Sequence, residues 1–150
     1  MNILVLDCKE YNIQFRLICM EDKSCPVRGW VESIGMAGAI IHLYSGGNSS
    51  ETQEVATLLS HKDAIRRILN ILVEQKAVKS PDELAAVAHR VVHGGEHFMS
   101  STLVDDKIID YIRQLEPVAP LHNPAEVEGI LAAREVLPDV PQVAHFDTAF

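Results

Sequence analysis

Aromatic residues are scarce, at 5% of 150 residues and with a single tryptophan. A surface that stacks nucleic-acid bases needs more of them. Clustered lysine and arginine are missing too: 13 basic residues face 21 acidic ones, for a formal charge of −8. Without a basic patch, neither nucleic acid nor an anionic membrane is expected as a general partner. Cysteine is sparse and odd in number. Cys8, Cys19 and Cys25 lack metal-ligand spacing, so reduced thiols in a cytoplasmic setting are the simplest account. No apolar run is long enough to span a bilayer, and Asp7 interrupts the apolar start too early for a secretory leader. Gly46-Gly47 lacks a following Gly-Lys-Ser/Thr and reads as a connection between elements, not a phosphate loop.

What remains is an ordinary folding composition, 47% apolar and 23% charged, at a length that predicts one domain with its own core. Residues 1–6 are apolar on both alternating sets, as in a central strand, and run into Asp7. Period-two alternation over 12–20 predicts a second strand; 27–34 and 39–44 add two more, read as two antiparallel hairpins after the first strand. Residues 45–50 read as a turn or loop. Residues 61–76 carry the clearest helical spacing, with Ser60 and Asp63 placed as a capping box. Further helices are predicted over 105–115 and 124–137, the latter with Asn123 as its N-cap and Pro124 in its first turn. A last short strand, 142–146, ends at Asp147. Strands followed by alternating helix and strand predict an α/β fold with a mixed sheet.

The centre of this pattern is 85–96. An apolar run at 85–88 predicts a buried strand, followed by His89-Arg90-Val91-Val92-His93-Gly94-Gly95-Glu96. Ligands of open parallel sheets bind where such strand ends give way to loops. A guanidinium there suits a planar anion, carboxylate or phosphate. The same residues suit equally a buried strand, a glycine turn and an arginine in a structural ion pair. His122 lies at a helix start, where backbone N–H groups favour anions, and Asp147 leaves the last strand. Arg90, His122 and Asp147 at loop positions along one edge form a candidate anion and acyl-group site. Taken singly, His122 also fits a half-buried structural histidine and Asp147 a helix cap. His93 and His97 are four residues apart, but Gly94-Gly95 argues against a helix between them and hence against a metal site.

The blocks at 89–96, at Pro120-Leu121-His122-Asn123-Pro124-Ala125 and at Phe146-Asp147-Thr148-Ala149-Phe150 resemble, in order and spacing, three signature blocks of the acetate kinase family. That family includes propionate kinases and belongs to the superfamily of sugar kinases, heat-shock ATPases and actin. The resemblance implies a ribonuclease-H-like α/β sheet flanked by helices, the first lobe of an actin-like ATPase fold. It implies transfer of the ATP γ-phosphoryl to a short carboxylate such as acetate, with Mg²⁺. It places Arg90 beside the acyl carboxylate and the transferring phosphoryl, and His122 on the same phosphoryl oxygens. It has Asp147 orienting the acceptor or a second-lobe arginine, and Val92 and Leu121 lining the acyl pocket. Asp7 is the candidate Mg²⁺ ligand.

The chain also departs from the family pattern. The family's first strand usually leads into Asn-Ala-Gly-Ser-Ser-Ser and then a lysine; here the stretch reads Asp7-Cys8-Lys9-Glu10-Tyr11-Asn12. Glu10 would repel a polyphosphate and Tyr11 is bulky. The family continues past the position of Phe150 into a second lobe that carries the adenosine site and further catalytic residues, so residues 1–150 are expected to be the N-terminal lobe. A second lobe or a homodimer partner is the expected protein partner. Two function classes follow: one lobe of an acetate-kinase-like phosphotransferase, inactive on its own, or a non-catalytic acyl-binding or regulatory module.

Overall fold

A computed structural model describes residues 1–46, 51–92, 101–117, 120 and 122–147. Among the described residues eight strands form one mixed sheet in the order β5-β4-β3-β2-β1-β6-β8-β7. The strands are β1 (Asn2–Cys8), β2 (Ile13–Cys19), β3 (Ser24–Glu32), β4 (Ala39–Ser45), β5 (Thr52–Ala56), β6 (Ala86–Val91), β7 (Thr102–Leu103) and β8 (Gln142–Phe146). Strands β1 to β5 run antiparallel in succession. This is one continuous meander with β1 included, not two separate hairpins. On the other side β1, β6 and β8 are parallel, Leu6 facing His89 and Arg90 facing His145, so their carboxyl ends share an edge.

Strand β3 begins at Ser24, three residues before the 27–34 run that the sequence marks, because Ser24 pairs with Cys19 beside a bulge. Strands β5 and β7 went unread. The first is a mostly exposed polar edge strand and the second only two residues long. Edge strands bury little, so their sequences carry weak alternation.

Among the described residues there are three α-helices, α1 (His61–Glu74) between β5 and β6, and α2 (Asp106–Gln114) and α3 (Asn123–Val136) between β7 and β8. Ser60 caps α1 by accepting the Asp63 N–H at 3.2 Å, and the Ala64, Ile65, Ile68, Leu69 and Leu72 stripe is buried. Asp105 caps α2 through the Ile108 N–H at 2.9 Å. Helix α3 differs from its sequence reading. His122 holds the N-cap position without a side-chain cap bond, and Asn123 lies inside the helix. Asn123 is fully buried, and its amide donates to the Ile112 carbonyl of α2 at 3.2 Å, which spends the side chain on helix packing.

Helices α1 and α3 pack side by side on one face of the sheet, with α2 against α3. Under α1 the core includes Leu4, Leu6, Phe15, Ile65 and Leu72. Under α2 and α3 it includes Val91, Ile112, Ile130 and Phe146. The register lines Val5, Asp7, Gln14, Arg16, Arg28 and Trp30 along the opposite face. Two close approaches demand glycine. A Cβ on Gly29 would stand 2.0 Å from the His42 carbonyl oxygen, and one on Gly129 would stand 2.4 Å from Cys8 Sγ. The second contact lets α3 lie directly on β1. No helix among the described residues is long and apolar enough to cross a membrane.

Candidate active site

The shared carboxyl edge of β1, β6 and β8 gathers three of the residues singled out in the sequence. Arg90 and Asp7 lie within their strands, not beyond them, and Asp147 follows β8 directly. Arg90 Nη1 donates to Asp7 Oδ2 at 2.9 Å. Its Nε donates to Asp147 Oδ1 at 3.0 Å, and its Nη2 meets Asp147 Oδ2 at 2.8 Å. The planar fork of the guanidinium fits this two-oxygen grip. Asp147, and then Asp7, push the Arg90 pKa above its ordinary value, against the opposing effect of burial. The arginine is half exposed, and with Val5, Asp7, Gln14 and Arg16 it lines a pocket of about 230 Å³ on the helix-free face.

The start of α3 reaches the same edge by a second route. The Val92 N–H donates to Glu126 Oε1 at 3.0 Å, joining the residue after β6 to the first turn of α3. His122, half-buried, stands at the head of that turn. Val92 is half-buried, whereas Leu121, its partner in the expected acyl pocket, lies outside the described residues. His93, His97 and the glycine pair between them also lie outside them.

Glu126 is the residue that the sequence reading missed. It is 2% exposed, and its Oε2 has no hydrogen-bond partner among the described residues. Burial raises its pKa to about 7. The Val92 N–H works against that shift, the Asp7 and Asp147 charges add to it, and Arg90 opposes it. A signal existed: Glu126 falls among Asn123, Ala125, Val127, Gly129 and Ile130, all on the buried side of α3. An acid near a helix N-terminus passes easily for a partner of the helix dipole.

Residues 9–12 form a tight turn, closed by the Lys9 N–H donating to the Asn12 carbonyl at 2.8 Å. His61 Nε2 donates to the Lys9 carbonyl at 2.6 Å, fastening the turn to α1. Glu10 and Tyr11 are exposed. The buried Cys8 thiol has its pKa pushed up, chiefly by burial, so it stays protonated and unreactive. Among the described residues no three His, Cys, Asp or Glu side chains stand together as a metal site. Asp7 already gives Oδ2 to Arg90, so a divalent ion at Asp7 would need further ligands from its substrate, from water or from elsewhere in the protein.

A family model described as the Acetokinase family matches residues 2–150. The acetate kinase of Symbiobacterium thermophilum is 43% identical over 152 residues, covering 100% of this chain and 38% of the relative. Among solved structures, Porphyromonas gingivalis acetate kinase superposes with a TM-score of 0.94 at 35% identity, covering 99% of this chain and 38% of that one. A propionate kinase from Francisella tularensis gives 0.88 at 34% identity, covering 99% and 37%. The chain thus spans little more than a third of the length of these relatives.

Proposed function

The chain belongs to the acetokinase family, whose α/β fold it has, and on that premise we propose that it is the N-terminal lobe of an acetate-kinase-like phosphotransferase. In the complete enzyme, ATP and acetate or another short carboxylate give ADP and the acyl phosphate. The observation that carries this reading is the Arg90 guanidinium, fixed by Asp147 and Asp7 at the common end of three parallel strands.

The chemistry follows from the acceptor. A carboxylate oxygen is already a nucleophile, so it needs no general base. It attacks the γ-phosphorus as the bond to the ADP oxygen breaks, and charge spreads over the equatorial phosphoryl oxygens. Catalysis then rests on positioning and on opposing positive charge. Arg90 supplies that charge, Asp147 orients its fork, and His122 at the head of α3 donates to phosphoryl oxygens. Val92 lines the acyl pocket, with Leu121 as its partner there by the family resemblance. Magnesium, when bound with ATP, would screen the phosphate charge, and Asp7 would contribute an oxygen to it. The rest of the enzyme, or a partner chain, provides the adenosine site. The protein works in the cytoplasm, where its three free cysteines stay reduced.

The 9–12 turn keeps the second reading alive, since its exposed Glu10 and Tyr11 stand where the family carries small hydroxyl residues. A lobe that binds the acyl group without turnover would have this pattern. Coupled ADP release by the full-length protein separates the two. Acetate- or propionate-dependent release supports the kinase; acetate binding by calorimetry without any release supports the binding module.

A further inference from the structure

Glu126 is a buried ionisable group beside the site that this chemistry leaves unused. Its Oε1 takes the Val92 N–H at 3.0 Å, two residues beyond Arg90. One hydrogen bond therefore ties the first turn of α3 to the strand end that carries the arginine. The charged groups around it come from every neighbouring element. Asp7 from β1, Asp147 after β8 and Arg90 from β6 act on it directly. Cys8 from β1 also senses its charge. On α3, Glu128 pairs with His61 of α1 at 3.3 Å, and farther along, Arg134 pairs with Asp106 of α2 at 3.0 Å. Two carboxylates against one guanidinium leave the surroundings negative. An ionised Glu126 there would have one backbone donor and, among the described residues, no partner for its buried Oε2, which is a costly state. With a proton on Oε2 the charge disappears, while Oε1 still accepts from Val92.

We propose that Glu126 is a positioning residue for Arg90: its carboxyl pins Val92 to α3 and so fixes the strand end from which the arginine projects. The inference deepens the kinase reading, because it concerns the same site, but its structural half rests on the Val92–Glu126 bond alone.

The test is NMR on the isotope-labelled chain between pH 5 and 9. The Glu126 side-chain carboxyl carbon and the Val92 amide are expected to titrate together, with a midpoint near 7. Glu126→Gln keeps an acceptor and cannot ionise, so it should make the Val92 amide independent of pH and leave the Arg90 Nε–H signal in place. Glu126→Ala should displace that signal; if it fails to fold, the Gln variant still decides. A wild-type Val92 amide indifferent to the ionisation of Glu126, or an Arg90 Nε–H signal unmoved in a folded Glu126→Ala chain, would overturn the proposal. In the full-length protein, Glu126→Ala should raise the acetate KM roughly tenfold or more, and Glu126→Gln should restore it and flatten the pH profile above 7. A wild-type full-length protein without kinase activity would sink the functional reading alone, since the NMR result stands independently of it.

Discussion

Arg90 holds Asp147 and Asp7 with different parts of its fork: Nε and Nη2 close on both oxygens of Asp147, while Nη1 alone reaches Asp7. The two aspartates therefore differ in consequence. Asp147 orients the guanidinium. Asp7 takes up the Nη1 donor that an incoming anion would need. Asp7→Asn is expected to raise the affinity of the chain for acetate about two- to fivefold, the range of a weak ion pair with one exposed partner. Asp147→Asn should lower it, by releasing the fork. The Arg90 Nε–H signal, followed during acetate titration at constant ionic strength, checks both. Equal affinities in all three proteins would show that neither contact matters for anion binding.

Two buried groups tilt stability with pH in opposite senses. His89 is buried and shares a hydrogen bond with Gln142 at 2.7 Å. Burial lowers its pKa from 6.5 to about 4, with the Gln142 bond opposing. The unfolded chain thus binds more protons than the folded one between those values, so stability falls as pH drops from 6.5 toward 4, by up to about 3 kcal/mol. Glu126 is raised instead, from 4.5 to about 7. Its contribution is fully present below 4.5 and is lost as pH rises through 7. Urea unfolding at pH 5, 6, 7 and 8 should show that His89→Gln removes the acid-side loss and Glu126→Gln the neutral-side loss. Parallel curves for both variants and the wild type would contradict the burial argument.

The seat of α3 on β1 gives a third prediction. Gly129→Ala gains up to about 1 kcal/mol of helix propensity. The added methyl, however, meets Cys8 Sγ at 2.4 Å and Cys8 Cβ at 2.9 Å. Overpacking at about 1–3 kcal/mol should win, leaving a net loss. Cys8→Ala removes the sulfur but not the Cβ, so the double variant should recover part of that loss. Thermal unfolding of the four proteins in a double-mutant cycle checks it. Gly129→Ala at or above wild-type stability would mean that the helix shifts at little cost.

Much of this arrangement was legible in the sequence. Arg90 and Asp147 could be placed at one edge because each follows a short apolar run, and two such runs make parallel neighbours. The α1 stripe from Ala64 to Leu72 announced its helix for the same reason: burial imposes a period. The residues that escaped notice are those whose role depends on a distant partner. Asn123 looked like a cap, yet it bonds a carbonyl of α2. Glu126, an acid in the first turn of a helix, carries no local mark of its role, yet it holds Val92. Strand β5 is paired on one side only and is mostly polar, so nothing in its alternation marked it.

The isolated chain should consume no ATP on addition of acetate, because it spans 38% of the length of its acetate kinase relatives. A coupled ADP assay on the purified chain checks this. Acetate-dependent turnover that Arg90→Ala abolishes would show that one lobe suffices.

The central claim is that Arg90 faces the transferring phosphoryl group in an acetate-kinase-like enzyme. It is tested most directly by acetate-dependent ADP formation in the full-length protein, wild type against Arg90→Ala. Loss of a preorganised charge donor at the reacting group is expected to lower kcat by about 10²–10³, with the fold intact by circular dichroism. A folded Arg90→Ala enzyme with wild-type kcat would contradict the claim.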